Sequence, residues 1–417
     1  MSNFRMWSPL GDLDSVFALR SETDPSANPV GLYDPQGNDL CLRYQVYTSG
    51  TQALITRFNV IQSDGTFKDL NQIFAIPKGM TWVAMGSGIV STVNAIYATD
   101  NSNVYVGGVF TNIGGDNNKK YFAKWDGSTW QRMGTGTDNS VSAIYAVDNS
   151  NVYVGGAFFN SGGNSNADYI MKWDGSNWRS MGTGTANTVN AIYATDNSNV
   201  YVGGSFLNIG GDNNKQCFAK WDGSTWQRMG TGIENTVNAI YATDNSNVYV
   251  GGVFTNIGGD NNKQYFAKWD GSTWQRMGTS TSGTVIEISA YDNSNVYVGG
   301  AFTNIGGDTF KRYIAKWDGT TWQRMGTATS GTVNAISAYD NSNVYVGGLF
   351  ANFGGDTFKR YIAKWDGTTW QRMGAGTTST VNAISAYDNS NVYVGGVFAN
   401  IGGDTFKSRI ARWTNNY

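Results

Sequence analysis

The chain has 417 residues, with 29 Lys and Arg against 31 Asp and Glu, no His and two Cys. That balance creates no overall field of one sign to gather nucleic acid or an anionic membrane, and the lack of His removes the usual neutral-pH base and the commonest metal ligand. Cys41 and Cys217 are too few for a cysteine-based zinc site or a disulfide framework, so neither a metal nor a cofactor is expected.

Residues 1–20 are interrupted by Arg5, Asp12 and Asp14 and contain no apolar signal-peptide core. No window reaches the unbroken apolar length of a membrane helix, so membrane insertion is not expected. The compartment stays open between particle-associated and cytoplasmic. All five prolines fall within residues 1–78. Proline removes a ladder donor and is excluded from central strands, which marks a change of architecture near Pro77. Within this segment, 39–47 and 53–60 carry β-favouring residues with partial alternation, and Ser63-Asp64-Gly65-Thr66 supplies a turn. A small β-rich domain over 1–78 is predicted, serving to dock or adapt the rest.

An internal echo lies in the same segment. Asp12-Leu13-Asp14-Ser15-Val16-Phe17 resembles Asp69-Leu70-Asn71-Gln72-Ile73-Phe74. The simplest reading is two short amphipathic turns that bury Leu13, Phe17, Leu70 and Phe74 together. The sharper one makes these four residues a paired docking motif for a larger assembly. The Asp-Leu-x-x-hydrophobic-Phe pattern is similar to short segments in structural proteins of large DNA viruses.

From Trp82 onward a unit of 48 residues repeats seven times, with the Tyr of Val104-Tyr105-Val106-Gly107-Gly108 returning at 153, 201, 249, 297, 345 and 393. A fixed period of this size means one supersecondary unit repeated. Each unit predicts four strands, at 93–98, 103–110, 121–125 and 129–133 in the first copy. Asp100-Asn101-Ser102-Asn103 and Asp126-Gly127 provide the tight turns between them. Four antiparallel strands repeated in this way describe a β-propeller over 79–417. The Gly107-Gly108 pair reads as a close approach of a neighbour, and Gly114-Gly115 in the long loop as a positive-φ site. Neither has the context of a phosphate cradle.

The last repeat stops near Trp413 without its fourth strand, while Thr81-Trp82-Val83-Ala84-Met85-Gly86 matches Thr129-Trp130-Gln131-Arg132-Met133-Gly134. The expectation is an all-β, closed seven-bladed β-propeller whose N-terminal strand completes the last blade, leaving no open gap.

The run Val-Tyr-Val-Gly-Gly-x-Phe, then Gly-Gly, then Ala-Lys-Trp-Asp-Gly-x-x-Trp and Met-Gly resembles the kelch-type repeat. It is closer to repeats of fungal cortical-marker-like surface propellers and similar bacterial surface proteins. The resemblance implies a propeller that binds or displays rather than catalyses.

The tight-turn face hardly varies among the repeats, so a ligand is sought on the long-loop face. There repeats five to seven replace Asp-Asn-Asn-Lys with Asp-Thr-Phe-Lys, placing Phe310, Lys311, Arg312, Phe358, Lys359, Arg360, Phe406 and Lys407 on adjacent blades. Loop aromatics beside cations suit recognition of a protein or a sugar. The competing reading folds each Phe over its own blade. Glu287 stands where sister repeats have Ala95 or Ala191, and is read as a solvated channel residue. Asp126-Gly127-Ser128-Thr129-Trp130 is superficially like a sialidase Asp-box, but near-identical blades offer little asymmetry for two opposed carboxylates. No catalytic residue is assigned. The expected role is a non-enzymatic binding or structural module with protein partners, mounted through 1–78 on a larger assembly such as a virion or cell surface. A multivalent lectin binding glycans is the alternative, and a carboxylate-only glycosidase the weaker third.

Overall fold

A computed structural model describes residues 32–33, 39–49, 52–61, 67–69, 80–86, 89–159, 161, 167–279, 281–327, 329–403 and 405–415. In the N-terminal segment, β1 (Leu32–Tyr33), β2 (Asp39–Ser49), β3 (Gln52–Ile61) and β4 (Phe67–Asp69) form an antiparallel meander in that order. The two long strands cover the two predicted ones. Their register runs from Cys41 opposite Ile61 to Ser49 opposite Gln52, with one irregularity between Gln45 and Val46. The candidate docking residues Leu13, Phe17, Leu70 and Phe74 lie outside the described residues.

Thr81–Thr414 forms a second compact unit, and it is the seven-bladed propeller. Blade one consists of Val93–Asp100, Asn103–Gly108, Phe122–Trp125 and Trp130–Gln131. Six blades are built this way from consecutive strands. The seventh orders Val381–Asp388, Asn391–Gly396 and Ile410–Asn415 beside β5, Met80–Ala84. The predicted closure is therefore present. Trp82 and Trp413 have ring centroids 4.8 Å apart.

Three strands are shorter than the sequence suggested, the second ending at Gly108 rather than at residue 110. The third begins at Phe122 because Tyr121 takes φ +64°, and the equivalent residue is positive in all seven blades. Two bonds hold that conformation: Tyr121 N–H donates to Phe110 O at 2.8 Å, and Tyr121 O accepts from Gly108 N–H at 3.0 Å. The fourth ends after Gln131, where the chain turns into the long connection.

The core lies between blades. Tyr201 and Phe218 of blade three, for example, share one buried cluster with Val237, Ile240 and Val250 of blade four. Gly107 explains the close approach: a Cβ there would sit 2.4 Å from Val141 Cγ1 of the next blade. The same contact closes the ring, where Gly395 meets Val93. In the long loop Gly114 and Gly115 take φ +64° and +76°, as expected.

One hydrogen bond repeats at every interface and a second at six of the seven, Tyr345 reaching the Asn389 main-chain carbonyl instead at 3.5 Å. The indole of Trp130 donates to Met85 O at 2.8 Å, and the pattern continues around the ring to Trp82, which donates to Met373 O at 2.9 Å. The Tyr105 hydroxyl donates to Asn149 Oδ1 at 3.0 Å, and its last counterpart, Tyr393, reaches Asn101 Oδ1 at 2.8 Å. Both bonds satisfy a polar atom on an otherwise buried ring. Cys217, which stands where sister repeats have Tyr121 or Tyr265, is buried in the same shell, its thiol against Phe206 O. Among the described residues no helix is long and apolar enough to cross a membrane.

Candidate functional site

The first strands of all seven blades line a central cavity of about 320 Å³. Its wall is not seven-fold. Blades one to four present Tyr97, Tyr145, Tyr193 and Tyr241, and blades five to seven present Ser289, Ser337 and Ser385 at the same position. The four rings form a staircase with successive centroids 4.6, 4.6 and 4.7 Å apart. Burial first, and mutual repulsion of the phenolates second, push the hydroxyls of Tyr97, Tyr145 and Tyr193 well above their usual range. Each serine instead accepts a backbone N–H from the next blade: Ala338 to Ser289, Ala386 to Ser337 and Ala98 to Ser385, at 3.0, 2.9 and 3.0 Å. One half of the channel is aromatic and filled, the other small and polar.

Glu287 lines this channel, as expected, but its carboxyl is drawn out of water rather than solvated, and it is the one charged residue among those around it. Its carboxyl Oε1 accepts the Ile288 N–H at 3.1 Å. Burial pushes its pKa up to about 8, against a smaller lowering by that hydrogen bond.

On the tight-turn face the aspartates are structural. Asp100 accepts from Ser102 N–H at 2.7 Å and from the Asn103 amide, and Asp126 accepts from Ser128 and Thr129 N–H at 2.9 and 2.7 Å. Backbone donors hold Asp126 below the usual carboxylate range. The Asp-Gly turn is thus a turn former. The face nevertheless varies more than the sequence reading allowed. Immediately before the first turn, Thr99, Val147, Thr195 and Thr243 give way to Tyr291, Tyr339 and Tyr387 in blades five to seven. Thr195 and Thr243 close onto the neighbouring turn through Asn245 and Asn293. The tyrosines are exposed by 55, 42 and 39 %. The signal was legible: Tyr-Ala-Thr-Asp becomes Ser-Ala-Tyr-Asp.

The long-loop candidates separate into two groups. Phe310 is 66 % exposed, with the Arg324 guanidinium 4.4 Å over its ring. Asp308 holds that guanidinium through Nε at 2.9 Å and Nη2 at 3.1 Å. Chiefly through this fork, Asp308 is held down to about 2. Lys311 turns back to Asp308 at 3.5 Å and Lys359 to Asp356 at 3.3 Å. Lys119, Lys215 and Lys263 make the same pair in blades one, three and four, so this lysine closes its loop rather than awaiting a ligand. Lys407 is also engaged. Arg312 and Arg360 are exposed. Phe358 and Phe406 lie in short 3-10 turns, Thr357–Lys359 and Thr405–Lys407, and their side chains are outside the described residues. Among the described residues no three of Cys, Asp or Glu come together as a metal cluster would require.

Ring closure, latched interfaces and an open centre define a closed seven-bladed β-propeller. In sequence the chain is similar to the Rax2 C-terminal beta propeller domain, whose family model matches residues 183–327 and, in an overlapping register, 234–380. No curated protein sequence matches it. Among solved structures it is similar to YCF48 bound to D1 peptide, at 13 % identity and TM-score 0.52 over 81 % of this chain and 97 % of that one. The WD40 beta propeller domain of Doa1 aligns at 11 % identity and TM-score 0.53, over 81 % of this chain and 98 % of that one. The extracellular domain of the one-component system BT4673 from B. thetaiotaomicron aligns at 14 % identity and TM-score 0.50, over 81 % of this chain and 40 % of that one. At these identities the likeness is one of fold.

Proposed function

We propose that the chain is a non-enzymatic binding module whose propeller engages a protein partner through blades five to seven, with residues 1–78 mounting it on a larger assembly such as a virion or cell surface. One observation carries the reading. The shell is the same at every interface, yet blades five to seven depart together on the long-loop face, at Phe310, and on the tight-turn face, at Tyr291, Tyr339 and Tyr387. The three tyrosines group exposed rings on the tight-turn face of adjacent blades, which is what a partner's surface needs as anchors, and Phe310 adds one on the opposite face.

Two further points support it. A sugar seated between blades needs room, and the space between blades four and five, lined by Phe266, Thr281 and Trp322, is about 10 Å³. Such a gap holds a single water at most. Hydrolysis of a glycoside needs two carboxylates facing one substrate, and Glu287 alone lines the channel. YCF48, similar in fold, is a propeller solved with a peptide.

The test is random-peptide display selected on the full chain, run in parallel with a glycan array and with particle fractionation of the source. Expected are a peptide consensus that loses at least about tenfold affinity in Tyr339→Ala or, for a peptide on the opposite face, in Phe310→Ala, a silent array, and release from particles when residues 1–78 are deleted. Strong avidity-dependent glycan binding would replace this reading with the lectin, and unchanged particle association of the deletion would end the mounting role.

A further inference from the structure

Where seven near-copies share an interior, the residue that breaks the pattern deserves a physical reason. The position held by Ala95, Ala143, Ala191, Ala239, Ala335 and Ala383 is Glu287 in blade five. A methyl group is buried there at no cost, whereas a carboxyl removed from water needs partners. Glu287 has one, the Ile288 N–H on Oε1. No Lys or Arg lines the channel to neutralise it. Glu287 lines a cavity of about 320 Å³, and among the described residues its second oxygen has no protein donor.

The neighbours add acceptors of the same kind. Asn238 donates its amide to Val285 O at 3.2 Å, and Asn382 to Val93 O at 3.3 Å. Each bond uses one of the two amide hydrogens, and both residues line the channel with no protein hydrogen bond on the carboxamide oxygen among the described residues. Tyr241, the last ring of the staircase, lies on the blade next to Glu287.

We infer that the channel is a binding site for an alkylammonium ion, whose –NH3+ meets the Glu287 carboxylate and the Asn238 carboxamide oxygen while its aliphatic stem lies along the tyrosine rings. An ammonium has three donors, no acceptor and no preferred plane, so it suits separate single acceptors. A guanidinium fork wants both oxygens of one carboxylate, and Ile288 already occupies Oε1. Aromatic faces beside the cation add attraction. The turns that follow the channel-lining first strands hold seven aspartates, one per blade, and no Lys or Arg, which favours cations at that mouth.

Proton linkage follows. With its pKa pushed to about 8, Glu287 is mostly protonated in the empty channel near neutral pH, and a bound ammonium must expel that proton. The other titratable groups facing it are Tyr97, Tyr145, Tyr193 and Tyr241, all raised by burial and neutral throughout this range.

Calorimetry of the full chain with n-butylammonium chloride tests the site, in two buffers of different ionisation enthalpy. One ion per chain is expected, with release of up to one proton and affinity rising about tenfold per pH unit from pH 6 towards 8. Glu287→Gln keeps the shape and is expected to weaken binding at least about tenfold. Glu287→Ala restores the sister residue, so folding is preserved, and should do the same. n-Butanol, the same stem without charge, should not bind. Comparison with a Gly-Gly-Lys-Gly-Gly peptide distinguishes the sources: tighter peptide binding marks a protein's lysine, tighter butylammonium binding a free amine. No heat from either cation at millimolar concentration, or equal affinity in Glu287→Gln, overturns the proposal.

Discussion

Blade three carries Tyr193 in the channel and Thr195 two residues on, while blade six carries Ser337 and Tyr339. The step crosses a β-bulge, between Ala194 and Asp196 in blade three and between Ala338 and Asp340 in blade six, so the second residue is the unpaired one at the strand's end. The tyrosine therefore moves from the channel wall, between Tyr145 and Tyr241, to the exposed rim. The serine that replaces it fills no space, yet satisfies the N–H of Ala386 in the next blade. At this position blades one to four thus keep a tyrosine inside, and blades five to seven put one on the surface. The comparison teaches that a repeat protein can change its interior and its faces with one exchange while leaving the shell alone.

That last clause is the easiest to break. If the shell is common, removing its indole latch should cost the same in either sector. Trp226 donates to Met181 O at 2.8 Å and Trp370 to Met325 O at 2.7 Å, and both rings are buried. Trp226→Ala and Trp370→Ala should each lose about 3–5 kcal/mol, the usual cost of emptying a large aromatic site. Trp82→Ala should lose as much, since Trp82 is the same latch at the closing blade. Urea unfolding reads all three. A loss under about 1 kcal/mol for Trp370→Ala alone would mean that the second sector is held differently.

The shell was legible because its causes are local and repeated. The 48-residue period, the Asp-led turns and the matching ends at Trp82 and Trp413 each follow from residues that can be read along the chain. The indole latch was not, since the acceptor is a main-chain carbonyl 45 residues away that any sequence possesses. Lys311 and Lys359 were read as candidate ligand contacts because a sequence shows a charge but not the aspartate three residues back that claims it. The tyrosine shift was written in the sequence, but attention to the constant Asp-Asn-Ser-Asn hid the variable residue just before it.

Glu287 sharpens the comparison from inside the channel. Its acid pKa is raised from the ordinary 4.5 to about 8 by burial, so the folded state favours the protonated form. Stability from this group is intact below about pH 4.5 and is lost progressively as pH rises through 8. Glu287→Ala should leave the unfolding midpoint nearly unchanged at low pH. Above pH 8 it should stabilise the chain by something on the order of 2 kcal/mol, allowing for water that reaches the carboxyl through the channel. Unfolding of both forms across that pH range is the measurement. A pH-independent difference would place the carboxyl in contact with water rather than in the channel interior.

The smallest effect on stability is expected where the largest effect on binding is proposed. Phe310→Ala should change stability by no more than about 0.5 kcal/mol, because that ring is mostly exposed, and Tyr339→Ala, 42 % exposed, by no more than about 1 kcal/mol. Arg324 does stack on Phe310, but Asp308 holds the guanidinium through two bonds that survive the substitution. Tyr193→Ala is the control. That ring packs against two others at 4.6 and 4.7 Å, and its removal should cost about 3 kcal/mol or more. The same residue type, two positions apart on equivalent strands, should therefore divide cleanly between a structural loss in blade three and a binding loss in blade six. If Tyr339→Ala proved as damaging to the fold as Tyr193→Ala, the rim tyrosines would be part of the shell, and the sector of blades five to seven would have no surplus aromatic surface left to offer a partner.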